Sequence, residues 1–267
     1  GITGTGFSIF KNIKYLDPTL ILWRSSSQWL GGLYFLFFLI LIFSNKQFNY
    51  KMNNLTYSPD VSINSAGNIK NLLSKIFIIY LILSISIFLL LNISDIRLFN
   101  SLNLSMTLIS GGGFIPTDSL NKIIQSNLQK IVLIISFLFS ILNFFLIFNI
   151  FEKKVISKDH KEDFYLINLS VIMIIFVYLN NYNGFDAIIN VLSSMNNSGL
   201  SLVKSDNNLG LFFLLVAAIG GSLISNTSGI KLIRIYILLK IASIEMIKLI
   251  SPNSIVNKNI YNSTKKI

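Results

Sequence analysis

The sequence predicts an all-α membrane protein assembled from repeated units of long helix, short helix, glycine turn and long helix. Three observations carry this expectation: a charge-poor apolar composition, uncharged windows of bilayer length, and a glycine turn that recurs in register. Hydrophobic residues make up 52% of the chain and charged residues 12%, with a mean hydropathy of +0.66, against about 25% charged in a soluble domain. A helix needs about 20 apolar residues to cross the hydrocarbon core, and residues 29–45, 76–94, 131–151, 164–185 and 209–230 supply such windows.

The formal net charge of +11 is spread over short connections rather than gathered on one module, which argues against a nucleic-acid-binding role. If residues 20–43 run from outside to inside, 15 of the 22 Lys and Arg fall in segments 46–75, 153–161 and 231–266, all on the cytoplasmic side. That is the bias expected of a multi-pass protein. The absence of cysteine excludes disulfides and thiolate metal sites. His160 stands among Lys158, Asp159, Lys161 and Glu162, in what reads as a solvated loop. Starting at Gly1 with no basic n-region, the chain is expected to carry no signal peptide and reads as a fragment.

Taken in order, Thr3-Gly4-Thr5-Gly6-Phe7 precedes Asp17-Pro18, where proline suits a first helical turn. A helix then runs inward from about Leu20, and residues 46–71 read as a cytoplasmic loop. Residues 72–91 return outward. Residues 99–109, mixed in Leu, Asn, Ser and Thr, are about half a membrane thickness at 1.5 Å per residue. They are expected to form a re-entrant pore helix whose partially negative C-terminal end favours a cation at the glycine run. Residues 129–151 descend to a charged loop, 152–163.

The order then recurs: 164–182 spans outward, 185–195 is short, and Asn196-Asn197-Ser198-Gly199 stands where the glycines stood. A shift of 86 residues carries Phe99 onto Phe185, Thr107 onto Ser193 and Gly113 onto Gly199, and a shift of 107 carries Gly6-Phe7 onto Gly113-Phe114. Three copies in register indicate internal repetition. The expected organisation is 1–45 as the second half of repeat 1, 72–151 as repeat 2, 164–250 as repeat 3, and 251–267 as a cytoplasmic C-terminal segment.

Ser110-Gly111-Gly112-Gly113-Phe114 is the fullest of these turns. Glycine tolerates φ > 0, so successive carbonyls can be aimed where other residues resist. In a membrane, rings of carbonyl oxygens replace the water around a cation; a plain loop or a close helix contact is the alternative reading of any single glycine run. By equivalence the candidate filter backbone comprises Thr5, Gly6, Ser110, Gly111, Gly112, Gly113, Asn197, Ser198 and Gly199. The last descending helix is itself interrupted by Gly220-Gly221-Ser222-Leu223-Ile224-Ser225-Asn226-Thr227-Ser228-Gly229. Unwound backbone at that depth must be buried in protein or line a cavity, which makes Gly220, Gly221, Ser222, Ser225, Asn226, Thr227, Ser228 and Gly229 a candidate gate; a simple Gly/Ser kink is the alternative. Lys231 and Arg234 read as inside anchors, or as contacts to the gate or to a cytoplasmic partner.

Trp23-Arg24-Ser25-Ser26-Ser27-Gln28-Trp29-Leu30-Gly31-Gly32, Gly112-Gly113-Phe114 with Asp118, and Ser228-Gly229-Ile230-Lys231-Leu232-Ile233-Arg234 followed by Ile247-Lys248-Leu249-Ile250-Ser251-Pro252-Asn253 resemble the signatures of the Trk/Ktr/HKT superfamily of potassium transporters, in particular bacterial TrkH-type pore subunits. The resemblance implies four repeats around a pseudo-fourfold pore, here incomplete: the first helix of repeat 1 and the whole fourth repeat have no counterpart. It further implies K⁺ uptake through filter carbonyls and an intramembrane gating loop at 220–229. It also implies a bacterial inner-membrane location, a homodimer and a cytoplasmic nucleotide-binding regulatory subunit. No cofactor is implied beyond the transported K⁺ itself.

Enzymatic readings fit poorly, because every Asp and Glu is expected in a loop, at a short-helix entrance or in the C-terminal helix, and no Gly-x-x-x-x-Gly-Lys-Ser/Thr loop occurs. Two other classes fit part of the pattern: the membrane subunit of a potassium-pumping ATPase, against which the Trp-Arg to Gly-Gly motif argues, and a non-conducting scaffold or fragment.

Overall fold

The computed structural model describes residues 2–4, 6, 10, 13–43, 66–151, 161–180, 182–202 and 209–250. These hold α1 (Pro18–Phe43), α2 (Ala66–Ile93), α3 (Leu98–Ser110), α4 (Asn127–Ile141), α5 (Phe144–Phe151), α6 (Lys161–Leu179), α7 (Gly184–Met195), α8 (Gly210–Ile219) and α9 (Leu232–Ile250), with no strand among the described residues. Thr5, His160, most of the 46–71 and 152–163 loops and the 251–267 segment lie outside them.

Local chemistry sets the helix starts. The Asp17 carbonyl accepts from Leu20 and Ile21 N–H at 3.0 and 3.1 Å, and Pro18, lacking an N–H, costs the first turn nothing. At α4, Ser126 Oγ accepts from Gln129 N–H while Gln129 Oε1 accepts from Ser126 N–H, a reciprocal cap that satisfies two otherwise orphaned donors. Gln129 Nε2 also donates to the Ser94 carbonyl at 3.0 Å, fastening the end of α2 to the start of α4.

The helices are amphipathic in an inverted sense. On α2, Ile76, Tyr80, Leu83, Ile87 and Leu91 are buried, while Ile78, Ile82, Ile85, Leu89 and Ile93 face outward. The outward face of α6 carries Phe164, Val171, Ile172, Ile175 and Leu179. Interior positions hold Gln28, Ser101, Asn103, Thr107, Ser136, Ser140, Asn190 and Asn196. Contiguous apolar faces of this extent suit lipid. Among the described residues, Leu73–Ile93 and Lys161–Leu179 are long and apolar enough to span a bilayer.

The packing repeats. Short α3 lies against α2, α4 and the preceding α1; short α7 lies against α6, α8 and the preceding α4. Each short helix is thus held by the two helices flanking it in the chain and by a helix from the unit before.

Three boundaries differ from expectation. α2 begins at Ala66, because the polar turn through Lys70 and Asn71 continues the helix past the apolar window. The expected continuous span 129–151 breaks between α4 and α5: Leu142 is extended (φ −74°, ψ 161°). Here Asn143 N–H donates to Asp163 Oδ1 at 3.0 Å and Phe144 N–H to the Ile224 carbonyl at 3.0 Å, tertiary partners that replace helical ones. Finally, Glu162 and Asp163, placed by sequence in a charged loop, occupy the first turn of α6 at 2% and 1% exposure. The expectation that these two acidic residues lie in a loop fails.

Candidate functional site

The turns that follow α3 and α7 have the same hydrogen bonds at equivalent positions. Gly111 N–H donates to Leu108 O (3.3 Å) and Gly112 N–H to Thr107 O (3.0 Å); Asn197 N–H donates to Ser194 O (3.0 Å) and Ser198 N–H to Ser193 O (3.1 Å). Gly111 (φ 66°) and Asn197 (φ 58°) both take the left-handed conformation, as does Gly4 (φ 66°) at the equivalent place in the first segment. Asparagine is among the few non-glycine residues suited to it, so one chain reversal is written as Gly, Gly and Asn.

Gly6, Gly113 and Ser198 meet. A Cβ on Gly113 would stand 2.5 Å from the Ser198 carbonyl oxygen, and one on Gly6 would stand 3.6 Å from the Gly113 Cα. Gly113 lacks a positive φ, so it is glycine for want of space, whereas Gly6 (φ 70°) and Gly199 (φ 65°) are glycine by torsion. Gly112 turns elsewhere: its missing Cβ leaves room for the Gln28 side chain, whose Oε1 accepts from Phe114 N–H at 3.4 Å. Thr107 Oγ1 donates to the Phe114 carbonyl at 2.8 Å, and the Arg24 guanidinium lies 4.2 Å from the Phe114 ring centroid. The motif on α1 therefore clasps the second turn from behind. Gly31 and Gly32 let α1 approach closely, since a Cβ would meet the Ile2 carbonyl at Gly31 and Ser110 at Gly32.

A cavity of about 210 Å³ is lined by Thr3, Gly4, Ser110 and Gly111 of the turns, by Gly31, Gly32 and Phe35 of α1, and by Asn226 and Ser228. Asn226 and Ser228 belong to the interrupted segment between α8 and α9. Ile230 N–H donates to Ala218 O (2.9 Å) and Lys231 N–H to Ile219 O (3.1 Å). Those carbonyls would accept from residues 222 and 223 in an unbroken helix, so 220–229 is an excursion after which helical bonding resumes. Gly220 (φ 69°) and Gly229 (φ 92°) close its neck, with a Cβ on Gly229 only 3.1 Å from the Gly220 Cα.

Within the excursion, Gly221 N–H donates to Thr227 Oγ1 (2.8 Å) and Ser225 Oγ to Ser222 O (2.7 Å). Lys231, with φ 72° and 3% exposed, precedes α9 instead of starting it. Its Nζ donates to Ser225 Oγ (3.0 Å), Ser225 O (3.3 Å), Thr227 Oγ1 (2.8 Å) and the Thr227 carbonyl. Lys231 thus holds the excursion from inside, while Arg234 is exposed on α9 and takes no part.

The excursion reaches the filter through Asn226, whose Nδ2 donates to the Ile109 carbonyl at the end of α3 (2.7 Å). Asn196 has a structural duty: its Oδ1 accepts from Ser140 Oγ (2.8 Å) and its Nδ2 donates to Leu108 O (3.4 Å). The side chain of Asn197 donates to Ala217 O at 3.0 Å. Sequence reasoning missed Glu162, Asp163 and Asn143, which fasten the excursion from the other side. The available signal was an acidic pair opening an otherwise uncharged span, where a helix N-terminus favours negative charge.

Two packed helix, short-helix, turn, helix units beside a partial third form a membrane-transporter fold. The likeness to Trk-type potassium transporters drawn from the motifs holds in sequence and in fold. The chain is similar to an uncharacterized cation transporter of Methanocaldococcus jannaschii, 28% identical over 271 residues covering 95% of this chain and 53% of that protein. It is also similar to the Trk system potassium uptake protein TrkH of Halomonas elongata, 24% identical over 272 residues covering 96% of this chain and 56% of that protein. The crystal structure of the potassium transporter TrkH from Vibrio parahaemolyticus has the same fold, with TM-score 0.82 at 21% identity, covering 98% of this chain and 57% of that one. The chain spans about half the length of the curated relatives it matches. No family model matches it. Both curated relatives are transporters, not enzymes.

Proposed function

We propose that this chain contributes three filter-bearing segments to a pore for potassium uptake across the plasma membrane, with the 220–229 excursion as its gate. The observation that supports the reading is convergence: Gly6, Gly113 and Ser198 meet, and the turns carrying Gly4, Ser110 and Gly111 share a cavity with Asn226 and Ser228 of the excursion. Backbone oxygens without intruding side chains suit a dehydrated monovalent cation. An inside-negative potential supplies about 2.3 kcal/mol per elementary charge per 100 mV, enough to drive accumulation without a reaction, so no catalytic group is required. Carbonyls of Gly6, Gly111, Gly112, Gly113, Asn197, Ser198 and Gly199, with Thr5 and Ser110, are the proposed ligands; selection of K⁺ over Na⁺ is part of the proposal.

The resemblance extends the proposal to a homodimer in the bacterial inner membrane bearing a cytoplasmic nucleotide-binding regulatory subunit. The test is Rb⁺ and K⁺ uptake by the full-length protein in sealed vesicles, with growth of a potassium-uptake-deficient bacterium at low K⁺ as the cellular counterpart. Uptake favouring K⁺ and Rb⁺ over Na⁺ supports the reading. Membrane-inserted protein that carries none of these ions, with or without a regulatory partner, overturns it.

A further inference from the structure

Two backbone interruptions, one between α4 and α5 and one between α8 and α9, are joined to each other. Ser222 N–H donates to Ile141 O and Phe144 N–H to Ile224 O, both at 3.0 Å, so each break fills the other's missing helical bonds. The pair is then held by consecutive residues at the start of α6. Asp163 Oδ1 accepts from Asn143 N–H at 3.0 Å, and Glu162 Oε1 accepts from Leu223 N–H at 3.0 Å. Successive helical residues point about 100° apart, which lets one turn of α6 grip both interruptions.

Glu162 reaches further. It faces Lys231 and the backbone N–H of Ile233 at the opposite end of the excursion, while its Oε2 has no hydrogen-bond partner. A carboxylate is a costly way to accept one backbone hydrogen bond in a buried site, because a neutral amide does the same without desolvating a charge. Its charge answers Lys231, and Lys231 holds Ser225 and Thr227, the residues flanking Asn226. Glu162 thus touches the excursion directly at Leu223 and acts electrostatically on Lys231, which holds the residues flanking Asn226. Glu162 and Asp163 hold the paired breaks through hydrogen bonds accepted from the backbone of those breaks, a hold that can be released.

We propose that Glu162 and Asp163 are positioning residues that keep the 220–229 excursion seated against the filter turns, so that loosening their grip opens the path. This rests on the transport reading above and adds the element that governs its gate. Glu162→Leu removes both acceptor and charge; Glu162→Gln keeps an acceptor and removes only the charge; Asp163→Asn weakens the hold on the Asn143 side.

Full-length wild type and variants are compared for Rb⁺ flux in sealed vesicles, alongside the K⁺ to Na⁺ ratio. Loss of a hydrogen bond to a charged group is expected to raise flux about tenfold in Glu162→Leu, with smaller increases in Glu162→Gln and Asp163→Asn. The K⁺ to Na⁺ ratio should stay at the wild-type value, because the filter turns are untouched. A merely structural role would lower flux or alter the ratio. If Glu162→Leu fails to assemble, Glu162→Gln carries the test. Variants matching a conducting wild type overturn this inference and leave the transport reading intact, as does a changed ion ratio accompanying changed flux. Absence of flux from wild type and every variant overturns both.

Discussion

The carbonyl oxygen of Ser198 lies 2.5 Å from the position a Cβ on Gly113 would occupy. Two chain segments, equivalent in the repeat, therefore meet with no space for a side chain. Gly113→Ser must push the Ser198 carbonyl aside, and overpacking of this kind costs about 1–3 kcal/mol. Weakened discrimination of K⁺ against Na⁺ is expected, by about tenfold for each 1.4 kcal/mol of lost difference. Ion competition against Rb⁺ uptake measures it. Gly210→Ala is the control, since nothing lies within 4 Å of a Cβ there; uptake and selectivity should not change.

Gln28 connects α1 to the second turn, accepting from Phe114 N–H while filling the space left by Gly112. Gln28→Leu keeps most of the volume and removes the acceptor, leaving a buried N–H unpaired at a cost of about 1–3 kcal/mol. The expected result is lower thermal stability in detergent together with reduced uptake, measured on the same preparation. Gln28→Glu keeps an acceptor beside Arg24 and should fall nearer to wild type in uptake.

The short helices and glycine turns were legible because their chemistry is local: a half-length polar-apolar segment ending in Gly or Asn can do little else in a bilayer. The break at Leu142 was not, since residues 131–151 are apolar except for Ser136, Ser140, Asn143 and Asn149, too few to mark a break. Tertiary partners, Asp163 and Ile224, make that break. From sequence Lys231 and Arg234 read alike, as inside anchors or as contacts to the gate or a partner; only the fold separates them, by turning one inward and leaving the other exposed. The shared left-handed turn at Gly4, Gly111 and Asn197 was hidden because its third copy is not a glycine.

Lys231 and Glu162 are a base and an acid buried in one polar network. Lys231 also holds Ser225 and Thr227, so its removal leaves several buried acceptors without that donor, with losses of about 3–5 kcal/mol. Lys231→Met alone should sharply lower the melting temperature. The double variant Lys231→Met with Glu162→Gln should recover the part of that loss that comes from leaving Glu162 without its base. Equal destabilisation by the single and double variants would mean that Lys231 matters only for its bonds to Ser225 and Thr227.

The alternation along α2 assigns its surfaces to different solvents: Ile76, Tyr80, Leu83 and Ile87 to the protein interior, Ile78, Ile82, Ile85 and Leu89 to lipid. The chain has no cysteine, so a single introduced one reports its own position. A fluorophore on Ile85→Cys or Ile78→Cys should be quenched by lipids carrying a quencher on the acyl chain, while Leu83→Cys should resist labelling in the assembled protein. Ile82→Lys should impair insertion, since a lysine at the centre of a spanning helix costs about 2.5–3.5 kcal/mol. Leu83→Lys would add to that cost a disrupted contact with the buried core. Quenching that ran uniformly through positions 78, 82, 83, 85 and 87 would place α2 in lipid on all sides, and its packing against α3 would then have to be abandoned.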